Sequence, residues 1–207
     1  MPPTDYFLDN FVAHKLSQLT ECGARELVTD ASWLGAFVLT RALRAPLPPK
    51  NRAYAFNFVR RAEGAFSAYR QARAALVEYL ETPPNVVSPY FRALLNFEVC
   101  IAQCCQGVEL LATASSEKSL QWKKKKDNSE LGRLYKLYID SKHMDEMIDG
   151  GKLPKEATVA IWITNVGLES NRALVTFDEL FDALHDMGKL ADHLSTLAPL
   201  ADDKEAL

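Results

Sequence analysis

Residues 88–114 read SPYFRALLNFEVCIAQCCQGVELLATA. Leu94, Leu95, Phe97, Val99, Ile101, Ala102, Val108, Leu110 and Leu111 leave almost no polar face along this stretch. A helix that is apolar nearly all round must be surrounded by other elements, so the segment predicts the central helix of a helical bundle. Ser88 is expected to cap it, with Pro89 at the first helical position, where a missing N–H loses no hydrogen bond.

On the N-terminal side, a long helix is expected from about Asn51 to Glu81. Ala55, Phe58, Val59, Ala62, Phe66, Tyr69, Ala72, Leu76 and Leu80 recur at helical spacing, and Pro83 and Pro84 stop it. A shorter helix is expected from Ala31 to Leu43, capped by Asp30 and ended by Pro46, Pro48 and Pro49. Thr4 caps a first helix, with Asp5 in its first turn and Leu8, Phe11, Val12, Leu16 and Leu19 as its apolar face, interrupted at Gly23.

On the C-terminal side, the pattern breaks between Thr113 and Asn128. Ser115, Ser116 and Ser119 lead through Trp122 into Lys123, Lys124, Lys125 and Lys126, which reads as an exposed loop or as a polyanion contact. A fifth helix follows from Ser129 to Gly150 and Gly151, SELGRLYKLYIDSKHMDEMIDG. Ala160–Ile163, then Leu174 and Val175, flank a turn around Gly167 and predict a short β-hairpin. Thr176 and Glu179 have the spacing of a capping box for a last helix, Phe177 to about Leu197, ended by Pro199. Its buried stripe is Leu180, Phe181, Leu184, Met187, Leu190, Ala191 and Leu194. The expected fold class is all-α, a bundle of five or six helices with a small β-hairpin before the last helix. One domain is expected over 1–207, with its core at about 51–149 and the hairpin and closing helix at about 157–198.

The bulk numbers suit that fold. The chain has 207 residues, 48% hydrophobic and 25% charged, enough to bury a core. Its net charge of -3 gives no global field toward nucleic acid or membrane. Charge is uneven locally: Arg41 to Arg73 holds eight cations against Glu63, and the chain from Asp178 onward holds eight acids against Lys189 and Lys204. Cys100, Cys104 and Cys105 lie on the central helix and Cys22 stands apart, without metal-ligand spacing to a histidine. They are expected to be buried free thiols in a reducing, cytoplasmic compartment. The start, MPPTDYFLDN, lacks the basic and apolar regions of a signal peptide, and no apolar run approaches the ~20 residues of a membrane span, so no membrane is expected.

The chemistry concentrates on the fifth helix. Arg133, Lys136, Asp140 and His143 are spaced by three, four and three, which places them on one helical face. A histidine moves protons near neutral pH, a carboxylate orients it, and cations hold phosphate. The competing expectation is a solvated face with a Lys136–Asp140 pair.

Two long helices, a polar and basic break, then a helix carrying YIDSKH (138–143) resemble the HEPN superfamily of bacterial and archaeal helical domains, over roughly Arg52 to Asp149. Its familiar members are toxin and anti-phage ribonucleases. Their motif is an arginine, a polar residue, and a histidine, with four to six residues between arginine and histidine. The resemblance implies a homodimer, through the fifth helix or the long third one, whose paired motif helices cut RNA without metal. It also implies that His143 is the acid–base or positions the 2′-hydroxyl. Lys136 or Arg133 would stabilise the phosphate, and Asp140 would orient the imidazole.

Here the positions allowed to the arginine hold Tyr138, Leu137 and Lys136. Lysine holds a phosphate as a point charge but lacks the planar fork of arginine, and the residue after Lys136 is Leu137. The expectation is therefore a non-catalytic or degenerate HEPN-like interaction module, with an RNA or protein partner, in a toxin–antitoxin or phage-defence setting. The alternative is an active, metal-independent endoribonuclease.

No other chemistry is expected. Asp182 and His185 have the spacing of a helical di-metal site, but the second acid–histidine pair is missing even with Glu98 and Glu109 available. Glu98 is expected to pair with an arginine of the long helix. His14 and His193 stand alone. No P-loop, dinucleotide fingerprint or serine-hydrolase signature is present, so neither a metal nor a cofactor is expected.

Overall fold

Helices α3 (Pro49–Glu81) and α4 (Ser88–Ala114) form the spine of the molecule. They run antiparallel: Arg61 donates to Gln103 Oε1 at 2.9 Å, and Arg92 to Glu78 Oε1 at 2.5 Å, further along. The seam between them is made of small and aromatic side chains. Ala62, Ala65, Ala72 and Tyr69 of α3, and Phe97, Cys100, Ile101 and Cys104 of α4, are all buried. The computed structural model describes residues 4–28, 32–42, 47–83, 86–115, 121–124, 126–153 and 158–196.

Around this spine stand α1 (Thr4–Phe11), α2 (Trp33–Phe37), α5 (Glu130–Lys142), α6 (Met144–Asp149) and α7 (Phe177–Ser195). The protein is mostly helical, with seven α-helices among the described residues rather than five or six. Helix α5 packs on α4, and α7 closes over α3, α4 and α2. Gly188 of α7 lets Phe66 and Trp33 approach, and Ser195 donates to Trp33 O at 3.1 Å.

Several boundaries differ from the expected ones. The first helix ends at Phe11 instead of reaching Leu19. Lys15 takes a left-handed conformation (φ 60°), which no helix interior accommodates, and a single 3-10 turn follows at Leu16–Gln18. The second helix starts at Trp33 and becomes a π turn at Val38–Ala42. Its expected cap Asp30 and its end Pro46 lie outside the described residues, as do Pro84, Ser116, Ser119, Lys125 and Pro199. Val87, not Ser88, is the N-cap of α4, and no side-chain cap bond forms there.

α4 is not enclosed all round either: Phe91, Leu95 and Val99, one turn apart, are 39%, 59% and 40% exposed. By length and composition α4 is apolar enough to cross a membrane, although no such segment was expected. Glu98 is half-buried beside Ser141 of α5, and burial raises its pKa.

The expected hairpin is a three-stranded antiparallel sheet. β1 (Ile161–Ile163), β2 (Gly167–Ser170) and β3 (Leu174–Thr176) pair in the order β1-β2-β3. Gly167 lies in β2 opposite Thr176, not in a turn. A Cβ there would stand 2.1 Å from Val175 O, so only glycine fits the register. Ile161, Ile163, Leu168 and Val175 turn into the core, and Ile163 N–H donates to the buried Tyr90 hydroxyl of α4 at 3.3 Å. β3 then runs straight into α7 through the expected capping box: Thr176 Oγ1 accepts from Glu179 N–H, and Glu179 Oε2 accepts from Thr176 N–H at 2.9 Å.

Candidate functional site

The site is built on α5 where the sheet's last turn reaches it. Ser129 caps the helix, its Oγ accepting from Gly132 N–H at 3.1 Å. Just before it, Asp127 accepts from Ser129 N–H at 2.7 Å, which holds the Asp127 carboxyl below the usual range. Glu130 then sits in the first turn, where the helix dipole favours a negative charge.

The four residues of the expected stripe are divided among different tasks. Arg133 is spent on structure: it ion-pairs with Glu179 of the capping box and donates to Asn128 O at 2.6 Å and Leu174 O at 3.1 Å. It pins α5 to β3 and to the start of α7. Among the described residues the Lys136 ammonium hydrogen-bonds only to Asn128 Oδ1, at 3.4 Å. Asp140 is not on the solvent side; it is 2% exposed. Its Oδ1 is ion-paired with Arg172, and no Lys136–Asp140 pair forms among the described residues.

His143 ends the helix. Its backbone (φ −113°, ψ 41°) breaks the α5 ladder and starts α6, so the expected continuous helix is two helices meeting at an elbow. The imidazole Nδ1 lies 3.1 Å from Glu146 Oε1. Its partner is thus Glu146 and not Asp140.

Arg172 is the residue that the spacing of α5 did not reveal. It sits in the β2–β3 turn, where Ser170 Oγ accepts from the N–H groups of Arg172 and Ala173. The guanidinium spans Asp140 and the Lys136 carbonyl, at 3.3 Å from the latter. Arginine suits this place because its fork offers several N–H groups to two acceptors at once. No periodicity links a turn residue to a helix residue so far away along the chain.

Two concavities meet at this arginine. One, about 420 Å³, is lined by Ile139, Asp140, His143, Glu146, Met147, Lys152, Asn171 and Arg172. The other, about 540 Å³, is lined by Lys123, Lys124, Tyr135, Lys136, Ile139 and Arg172. Lys136 and His143 therefore open on different sides of the Ile139–Arg172 wall.

The second concavity is basic and partly aromatic. Lys123 ion-pairs with Glu109 and lies over the rings of Trp122 and Tyr135. The expected exposed loop is in fact anchored here: Trp122 is buried edge-on against Tyr135, with ring centroids 5.1 Å apart. Lys124 and Lys126 are exposed.

Among the remaining candidates, Asp182, His185 and His193 are exposed on α7, and His14 meets the Trp162 ring edge-on at 4.9 Å. Among the described residues no three His, Cys, Asp or Glu side chains form a metal set. Comparisons of the chain with protein-family models, with curated proteins and with solved structures find no match.

Proposed function

We propose that this protein is a non-catalytic, HEPN-like interaction module that holds single-stranded RNA by its phosphates in the basic groove of α5. The supporting observation is the separation of Lys136 from His143 by the Ile139–Arg172 wall, with Arg133 and Asp140 already engaged elsewhere. A metal-free nuclease needs its phosphate-holding cation and its acid–base on one scissile bond. A binding surface needs only cations along a backbone path and an aromatic face for a base. Lys124 and Lys136 beside Tyr135 meet that need, with Lys123 and Arg172, already paired with Glu109 and Asp140, completing the basic lining.

The test is fluorescence anisotropy with a labelled single-stranded RNA, over a range of salt. Binding is expected to fall steeply with salt, and Lys124→Glu with Lys136→Glu to weaken it by about tenfold or more. Absent or salt-insensitive binding would remove RNA from this reading. The same RNA, run on a gel after incubation, is expected to stay intact. Cleavage by the wild type that His143→Ala abolishes would favour the endoribonuclease instead.

A further inference from the structure

The basic groove does not end at Tyr135. The Tyr138 ring lies 6.1 Å from it, about one turn on along α5. Lys142 stands over the Tyr138 ring, 5.9 Å from its centroid, as Lys123 stands over Tyr135 at 5.7 Å. At about 100° per residue, Tyr138 and Lys142 fall on one side of Tyr135, and Lys136 and Asp140 on the other. A strand that enters between Lys136 and Tyr135 therefore leaves over Tyr138, away from the His143 pocket.

Beyond Tyr138 the surface crosses α4 to α3. Gln106 Nε2 reaches the Tyr138 hydroxyl at 3.5 Å, and Gln103, one turn earlier on α4, accepts from Arg61 at 2.9 Å. Arg60 is exposed and donates to Asn57 Oδ1 at 3.3 Å. Burial lowers the Arg61 pKa, the Arg60 charge adds to this and Tyr138 opposes it, so Arg61 lies within electrostatic reach of both. Neither arginine has an ion-pair partner among the described residues. Two neighbouring guanidiniums with no carboxylate between them repel each other, and a polyanion relieves that. The acids nearby are engaged: Glu63 accepts from Leu34 N–H, Glu109 is paired with Lys123, and α4 carries no acid between Glu98 and Glu109.

We infer that the bound strand continues from the groove over Tyr138 and across α4 to Arg61 and Arg60, stacking a further base on Tyr138 and placing a further phosphate on the arginine pair. This path rests on the RNA reading above. It gives part of the basic stretch Arg41–Arg73 a task.

The experiment titrates the full chain with oligo(U) of about 12 and of about 4 nucleotides, over a range of salt, followed by anisotropy. Arg60→Gln removes an exposed cation outside the core, and Tyr138→Phe and Tyr138→Leu keep and remove the ring. For the long strand, Arg60→Gln is expected to lower the salt slope by about 0.7. Tyr138→Leu is expected to weaken it about tenfold and Tyr138→Phe to leave it unchanged. The short strand, filling the groove around Tyr135, is expected to respond to none of the three. Arg60→Gln carries the test if Tyr138→Leu does not fold. Long-strand binding that ignores Arg60→Gln and Tyr138→Leu, yet weakens with Lys124→Glu and Lys136→Glu, overturns the path and leaves the RNA reading standing. Equal weakening of both lengths overturns the path as well. Absence of binding by the wild type overturns both readings.

Discussion

Arg172, in the turn between β2 and β3, lies against Asp140 in the last turn of α5 and joins the sheet to the helix that carries the site. Removing the arginine leaves a buried carboxylate without its cation. Arg172→Ala is expected to cost about 2 kcal/mol of stability, below the full penalty of a buried pair because the guanidinium is 41% exposed. Asp140→Leu with Arg172→Met is expected to recover most of the loss. Urea denaturation measures both; a change below about 0.5 kcal/mol for the single variant would contradict the assigned role.

Two buried glycines are expected to respond in opposite ways to alanine. At Gly167 the new Cβ meets backbone, Val175 O at 2.1 Å and Thr176 Cα at 2.7 Å, so β2 and β3 have to separate. Gly167→Ala is expected to lose about 3 kcal/mol or more, or not to fold. At Gly107 the nearest atom is Met187 Cε at 2.7 Å, the free end of a flexible side chain. Alanine also favours the α4 helix there, so Gly107→Ala is expected to stay within about 1 kcal/mol of wild type. Thermal melts followed by circular dichroism separate the two outcomes.

Glu98 links acidity to stability. Burial raises its folded pKa above the unfolded value, and Ser141 beside it offsets this only in part. The neutral form is the one the fold prefers. Its contribution is present in full below the unfolded pKa of about 4.3 and is lost as pH rises through the folded value. Glu98→Gln is therefore expected to raise the urea midpoint at pH 7 and to lose that advantage below pH ~4. A variant that is no more stable at pH 7 would show that the carboxylate is not penalised there.

The thiols differ in reactivity by position. Cys100, Cys104 and Cys105 are buried on α4, and burial raises the pKa of Cys100 and Cys105 further; for Cys100 the hydrogen bond with Cys104 is the larger cause. Cys22 is half-buried in the loop before α2. Under native conditions a disulfide reagent is expected to modify Cys22 first and the other three only on unfolding. Fast modification of all four would show that α4 opens readily.

The periodicities of Ala55 to Leu76 and of Leu180 to Ala191 placed α3 and α7 closely, and Thr176 with Glu179 placed the cap between sheet and helix, because these signals are local. The sequence by itself also put Arg133, Lys136, Asp140 and His143 on one helical segment. Only the tertiary structure decided which of them face solvent. Glu179 and Asn128 occupy Arg133, Arg172 arrives from a β-turn to bury Asp140, and His143 breaks the helix beside Glu146. Spacing along a helix sets the direction of a side chain. What stands in that direction is set by segments far away in the chain, whose approach leaves no period to read.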